Sequence, residues 1–354
     1  MKLDKLRSMF GDIIDALVLF KPENIFYFSG FFPTSFMYLL IPKDDMPIAV
    51  VSQLEFEATK TTIKDFSVLE AKKQEDFEKT FSNLQRELKI RKLGFEEDFL
   101  SVSVKERMEK NIGGVNFIPF SNVVRKLRAV KSQSEIEIMR KALTIVSEGF
   151  KRAVNVIAPG IREYEVAAEV EYVMRKMGSS GTPFDTIIAS GHRSAFPHAS
   201  CSDRKLEDGD LVIIDLGARY KNYCSDITRT FTVGSPSQKQ EEIFQIVLNA
   251  QQRAVELIRP GIKTSEIDSA ARKVIEEAGY GEFFIHSFGH GIGIEVHEYP
   301  SISPSSNETI EDGMVFTAEP GIYIPNFGGC RIEDMILVHD NGCEVLSNIP
   351  RYLH

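Results

Sequence analysis

Over roughly the first 125 residues, short apolar runs alternate with turn signals: ALVLF precedes Lys21-Pro22-Glu23-Asn24, then comes IFYFSGF, and FMYLLI precedes Pro42-Lys43-Asp44-Asp45 and PIAVV. Apolar runs of this length, punctuated by Pro, Gly, Asn and Asp, predict strands. Amphipathic helices are expected near 53–63 and 73–90, so the segment reads as a compact α/β domain, and it carries no recognisable catalytic cluster. The stretch RKLRAVKSQSEIEIMRKALTIVSEGFKRAV then begins as a basic linker, offers Ser132 or Ser134 as a cap, and continues as a long amphipathic helix. The boundary is expected near Val124, giving a domain of 1–124 and another of 125–354.

The second part repeats itself. VNVIAPGIREYEVAAEVEYVMRKMG, ending at Gly178, lines up with VELIRPGIKTSEIDSAARKVIEEAG, placing Pro159-Gly160 on Pro260-Gly261 and Gly178 on Gly279 at an offset of 101. Each copy reads as helix, Pro-Gly turn, helix and closing glycine. Further on, LEDGDLVIIDLGA matches IEDGMVFTAEPGI at an offset of 104, Gly209 on Gly313 and Asp215 on Glu319. Similarity at one long period means two related units, and two units of this size predict a pseudo-symmetric α+β domain rather than a solenoid.

The repeat also pairs two acids at strand ends. A lone carboxylate closing an apolar strand, as Asp215 does after Leu211-Val212-Ile213-Ile214, costs several kcal/mol unless something positive meets it. A four-residue loop at Arg219–Asn222 is expected to bring Asp226 opposite Asp215 on one face, with Cβ atoms about 5 Å apart. In the second copy Glu319 is followed, across PNFGG, by Glu333 in CRIED. Four converging carboxylates repel unless protonated or neutralised by a cation. HSFGHGIGIEVHE, residues 286–298, adds three histidines among glycines, and neutral imidazole is a common metal ligand. Four carboxylates with His290 make a hard, oxygen-rich donor set suited to Mn²⁺, Fe²⁺, Co²⁺ or Zn²⁺, and carboxylates able to bridge suggest two ions roughly 3.5–4 Å apart. Singly, an acid in a strand is a satisfied turn residue and a histidine is core packing. Five such residues at strand ends that one repeat brings together point to a metal centre.

Composition excludes other classes. The chain has 354 residues, which makes two domains the default, and its net charge of -9, with no dense Lys/Arg cluster, argues against a nucleic-acid partner. Asp12 and Asp15 interrupt the N-terminal apolar run that a signal peptide would need, and no 18-residue apolar span exists, so no membrane partner is expected. Cys201, Cys224, Cys330 and Cys343 are widely spaced without a C-x-x-C pair, which fits unpaired thiols in a reducing cytoplasm.

With D-L-G-A…C-S-D-I-T-R-T-F, H-G-I-G-I-E-V-H-E, A-E-P-G-I-Y and G-G-C-R-I-E-D in place, the chain resembles the "pita-bread" metallopeptidases over roughly residues 126–350. That group includes prolidase, aminopeptidase P and methionine aminopeptidase, and the N-terminal domain resembles that of the first two. The resemblance implies that Asp215 chelates one metal, His290 and Glu319 the other, while Asp226 and Glu333 bridge both. It implies hydrolysis of an Xaa-Pro bond by hydroxide, since paired cations lower the pKa of water and stabilise the oxyanion, with Glu319 as proton acceptor. His198 in F-P-H-A and His297 in V-H-E would polarise the carbonyl and pass a proton to the proline nitrogen. His286 matches a further active-site histidine, and Arg331 would orient carboxylates. The implied cofactors are two divalent ions, Mn²⁺ or Co²⁺ ahead of Zn²⁺ or Fe²⁺, and the implied assembly is a homodimer acting on short proline-containing peptides.

Some archaeal-type prolidases carry an arginine just after H-E-x-P, where this chain has Ser301. A serine lacks the bidentate, charged grip an arginine offers a dipeptide's carboxylate. The expectation is therefore an Xaa-Pro aminopeptidase cleaving Xaa-Pro-Yaa at least as well as Xaa-Pro, with prolidase as the alternative. Ligand-binding relatives that have lost metal ligands, and metal-free creatinase-like hydrolases, are disfavoured by the intact five-residue set.

Overall fold

The computed structural model describes residues 2–351. The chain divides after Arg128 into two compact units. The first is built on a six-stranded sheet in the order 67–71, 48–52, 37–42, 16–19, 92–95 and 116–119. The strand 37–42 runs antiparallel to both its neighbours, and the other pairs are parallel. Strands covered on both faces are apolar along their whole length, and Leu17, Val18, Leu39 and Leu40 are all fully buried, which is why the sequence shows runs rather than alternation here.

One of those runs is not a strand. Residues of IFYFSGF lie in the helix Pro22–Ser29, which Pro22 opens and Gly30 closes in the left-handed region at φ 77°. The Glu96 carboxylate accepts hydrogen bonds from the backbone N–H of Phe20 and Lys21 and from Asn24 Nδ2, fixing the helix start. The boundary falls a few residues past Val124 because the helix Ser121–Ala129 belongs to this first unit: Val124 and Leu127 are buried, Tyr27 donates to the Leu127 carbonyl at 2.9 Å, and Arg128 donates to Asn24 Oδ1 at 2.7 Å.

The second unit opens on the helix Gln133–Val156, capped by Ser132 rather than Ser134, with Glu135 reaching back to the Ser132 N–H at 2.9 Å. The sequence repeat is a repeat of hydrogen bonds. Gly160 N–H donates to the Leu206 carbonyl and Leu206 N–H to Ile161; Gly261 N–H donates to Ile310 and Ile310 N–H to Ile262. Gly160 and Gly261 sit at φ 94° and 92°, a conformation that a side chain would strain. The first copy contributes a sheet ordered 227–232, 211–216, 187–190. The second contributes 334–339, 315–318, 289–291 in the same sequence of roles, extended at its edges by 342–345 and 298–302. This is the pita-bread arrangement, α+β, with helices 163–176 and 264–277 as matching elements.

Candidate metal centre

Each acid sits where its strand ends or begins. Asp215 is the penultimate residue of 211–216, Asp226 precedes 227–232, Glu319 follows 315–318, and Glu333 precedes 334–339. The loop between the first two differs from expectation. Asp215 pairs with Thr228, not Asp226, and the turn is the two-residue Lys221-Asn222, with φ 46° and 67° at the tip of a small ribbon of 219–220 and 223–224. Positive φ at both central residues is the turn whose twist suits a hairpin. Asp226 keeps the face of Thr228 by the two-residue period of a strand.

His290 occupies the centre of Gly289–Gly291, and a Cβ on Gly289 would come within 1.9 Å of the Thr317 carbonyl oxygen. Backbone this close to its neighbour admits only glycine. The imidazole Nε2 lies 3.2 Å from Glu319 Oε1 and 3.7 Å from Asp226 Oδ2. Ligand atoms of Asp226, His290 and Glu333 all lie within 4.8 Å of one another. The Thr317 hydroxyl couples two further groups, accepting from His290 N–H at 3.0 Å and donating to Glu319 at 3.1 Å. Asp215 is held by Arg331 Nη2 at 2.8 Å. All five residues line one cavity of about 470 Å³.

The electrostatics call for a cation. Burial pushes Asp226 and Glu333 well above the usual carboxylate range, and the neighbouring acids push them further. Asp215 is raised by burial against the pull of Arg331. Only Glu319 ends low, at about 2, because its hydrogen bond to His290 and the nearby positive charges outweigh burial. His290 is raised in turn, the Glu319 contact overcoming its own burial. Oδ1 of Asp215 and Oδ1 of Asp226 are buried and accept no hydrogen bond among the described residues. A buried carboxylate oxygen without a donor is costly, and a hard divalent ion is the partner that oxygen donors and one imidazole suit.

This balance has a measurable consequence. Carboxylates whose folded pKa is raised bind more protons folded than unfolded, so in metal-free protein their contribution to stability falls as pH climbs above about 4. Glu319 has the opposite sign, but its contribution is complete by about pH 5. A divalent cation relieves the repulsion and binds ligands that have lost their protons. The gain in Tm on adding Mn²⁺ to chelator-treated protein is expected to grow from about pH 5.5 to about pH 8. Differential scanning calorimetry across that range checks it, and a gain that shrinks toward pH 8 would contradict the electrostatic account.

The remaining histidines separate into two kinds. His198 and His297 line the cavity and make no hydrogen bond among the described residues, although the His297 ring packs edge-on to His290 at 4.2 Å between centroids. Burial, then the charge of His290, lowers the His297 pKa, so it is a neutral imidazole near pH 7. His286 is engaged at both nitrogens, Nδ1 with the Ser287 carbonyl at 2.8 Å and Nε2 with the Tyr323 hydroxyl at 2.9 Å. Arg331 Nη1 donates to that same hydroxyl at 2.8 Å, so Tyr323 gives its proton to His286 Nε2 and the imidazole carries its own on Nδ1. His286 therefore holds Tyr323 and Arg331 in place.

Several supporting residues escaped the sequence reading. Thr228 donates to Glu333 Oε2 at 2.7 Å and accepts from Arg331 Nε at 3.0 Å. Gln251, fully buried on the helix Gln238–Val255, donates through Nε2 to the carbonyls of Ala318 and Ile332 and to Asp334, and so pins the backbone beside both Glu319 and Glu333. Asp334 also pairs with the buried Arg229, whose guanidinium donates to the Thr228 and Glu333 carbonyls. Gln251 carried a signal: it falls on the stripe Val247, Ala250, Ala254, where an amphipathic helix wants an apolar residue.

Residues 137–340 match the model of metallopeptidase family M24, and residues 2–130 match the creatinase/prolidase N-terminal domain. The Xaa-Pro dipeptidase of Pyrococcus furiosus is 45% identical over 353 residues, covering 99% of both chains. The structure of an Xaa-Pro dipeptidase from Bacillus anthracis superposes with a TM-score of 0.95 at 41% identity, covering 99% of this chain and 98% of that one. An X-Pro aminopeptidase from Thermotoga maritima superposes at 0.90 with 40% identity over 99% of each. Matched over more than half its length by the family's pattern and end to end by relatives of this similarity, the chain belongs to metallopeptidase family M24.

Proposed function

We propose that this chain is a metal-dependent Xaa-Pro dipeptidase, hydrolysing the bond between any residue and a C-terminal proline. The observation that carries the reading is the buried acid cluster with His290 in a small cavity that also presents two unengaged imidazoles. Of the two activities the sequence suggested, the dipeptidase is better supported than the aminopeptidase, because relatives 45% identical along nearly the whole chain are named Xaa-Pro dipeptidase. Ser301 does stand in the cavity wall where a charged clamp was missed. His198 and His297 are the donors left there for a substrate carboxylate or carbonyl.

In this reading Asp215, Asp226, His290, Glu319 and Glu333 hold two divalent ions, which when bound supply a nucleophilic hydroxide at neutral pH and Lewis-acid stabilisation of the oxyanion. Glu319 takes the proton of the attacking water at its carboxylate. His297 and His198 polarise the scissile carbonyl and deliver a proton to the proline nitrogen, which as a tertiary amide has none of its own to leave with. Arg331, steadied by Tyr323 and His286, fixes the orientation of Asp215. The oxygen-rich donors with one imidazole suit Mn²⁺, Co²⁺, Zn²⁺ or Fe²⁺, and the family resemblance puts Mn²⁺ or Co²⁺ first. We place the enzyme in the cytoplasm as a homodimer acting on short proline-containing peptides, in keeping with its four unpaired cysteines and the frequency of twofold assemblies. Among the described residues no helix is long and apolar enough to cross a membrane.

The test is kcat/KM on one dipeptide and its extension, Leu-Pro against Leu-Pro-Gly, after Mn²⁺ reconstitution. Preference for the dipeptide by about tenfold or more is expected. Equal or better cleavage of the tripeptide would restore the aminopeptidase reading.

A further inference from the structure

Five carboxylates line the cavity, and four of them belong to the acid cluster. The fifth, Asp185, has no place in that cluster. It makes no hydrogen bond or ion pair among the described residues and is solvent-exposed. Its backbone is nevertheless fixed. On one side Pro183 and Phe184 pack so closely on Gly217 that a Cβ there would meet them at 2.5 and 2.6 Å, and on the other the buried Thr186 leads directly into the strand Ile187–Ser190. Phe184, Ile187 and Val296 give the same cavity an apolar wall.

The charge inventory is one-sided. Among the described residues Arg331 is the one guanidinium in the lining, and it is committed to Asp215 and Tyr323. With two divalent ions and Arg331 set against the five carboxylates the lining would balance as a whole, and Asp185 is the carboxylate there that no hydrogen bond or ion pair meets among the described residues. Apolar side chains and an exposed carboxylate in one lining, with Phe184 and Ile187 flanking Asp185 in the chain, complement a side chain with an aliphatic stem and a cationic head. We infer that Asp185 forms a subsite for the cationic side chain of the residue before proline, making Lys-Pro and Arg-Pro favoured substrates. This rests on the Xaa-Pro reading above. Proline itself has no charged side chain, so such a preference concerns the first residue alone.

The test compares kcat/KM for Lys-Pro with that for norleucyl-Pro, which has a similar aliphatic stem and no charge, in wild type, Asp185→Asn and Asp185→Lys. An exposed charge pair is worth little, so the ratio is expected to drop about threefold to tenfold in Asp185→Asn and further in Asp185→Lys, with norleucyl-Pro turnover unchanged and the wild-type ratio falling as salt is raised. An unchanged ratio in both variants overturns the inference. Equal losses on both substrates also overturn it, because Asp185 would then serve the α-amino group common to them. If wild type cleaves neither dipeptide after metal reconstitution, the Xaa-Pro reading itself fails, an outcome separate from either of these.

Discussion

Replacing Glu333 by alanine should abolish hydrolysis, by about 10³-fold or more, and remove at least one of two bound divalent ions. The carboxylate is buried, hydrogen-bonded to Thr228, and within 4.8 Å of ligand atoms on Asp226 and His290, so no neighbour can swing in to replace it. Asp226→Ala should behave alike. Such losses are easily confused with unfolding, but here the two separate. In the metal-free state each of these acids is repelled by the others. Deleting one should leave the metal-free protein at least as stable as wild type while the stabilisation by added Mn²⁺ collapses. Elemental analysis beside calorimetry and turnover reads all three quantities. Two tightly held ions with near-normal turnover in either variant would refute the ligand assignment.

The second large effect is expected at the unengaged imidazoles. His297→Ala or His198→Ala should retain both ions yet lower kcat by about 10²–10⁴-fold, the usual span for removing a proton-transfer or polarising group. The contrast with His286 sharpens this. His286→Ala removes a hydrogen-bond partner from Tyr323 and should act through the seating of Arg331, whereas among the described residues His297 and His198 have no hydrogen bond to lose, His297 giving up only its edge-on packing against His290. Loss of metal from the His297 or His198 variants would make those residues ligands instead.

Much of this was legible in the chain because the signals were either periodic or local. The repeat surfaced as paired Pro-Gly turns whose backbone then proved to make the same hydrogen bonds, and Asp215 and Glu319 were conspicuous as acids closing apolar strands. Tertiary contacts were not legible. Nothing near Thr228 in sequence marks it as the hydroxyl between Glu333 and Arg331, since those partners lie about a hundred positions away. IFYFSGF read as a strand because its apolar residues outweighed the Pro22 and Gly30 signals that bound a helix. The turn before Asp226 was misjudged because positive φ at Lys221 has no sequence warning, lysine being an uncommon occupant of that region.

The way the five site residues are shared between the copies carries a consequence for how the fold comes apart. The first copy supplies Asp215 and Asp226, the second His290, Glu319 and Glu333, and Glu333 meets its hydroxyl partner across a separation of 105 positions. An ion seated on both sets would be a cross-link over a long loop, constraining the chain as a disulfide does. Chelation should therefore open a seam: amide exchange would accelerate first where Thr228 faces Glu333 and where Gln251 joins Ala318 to Ile332, before the helices behind them loosen.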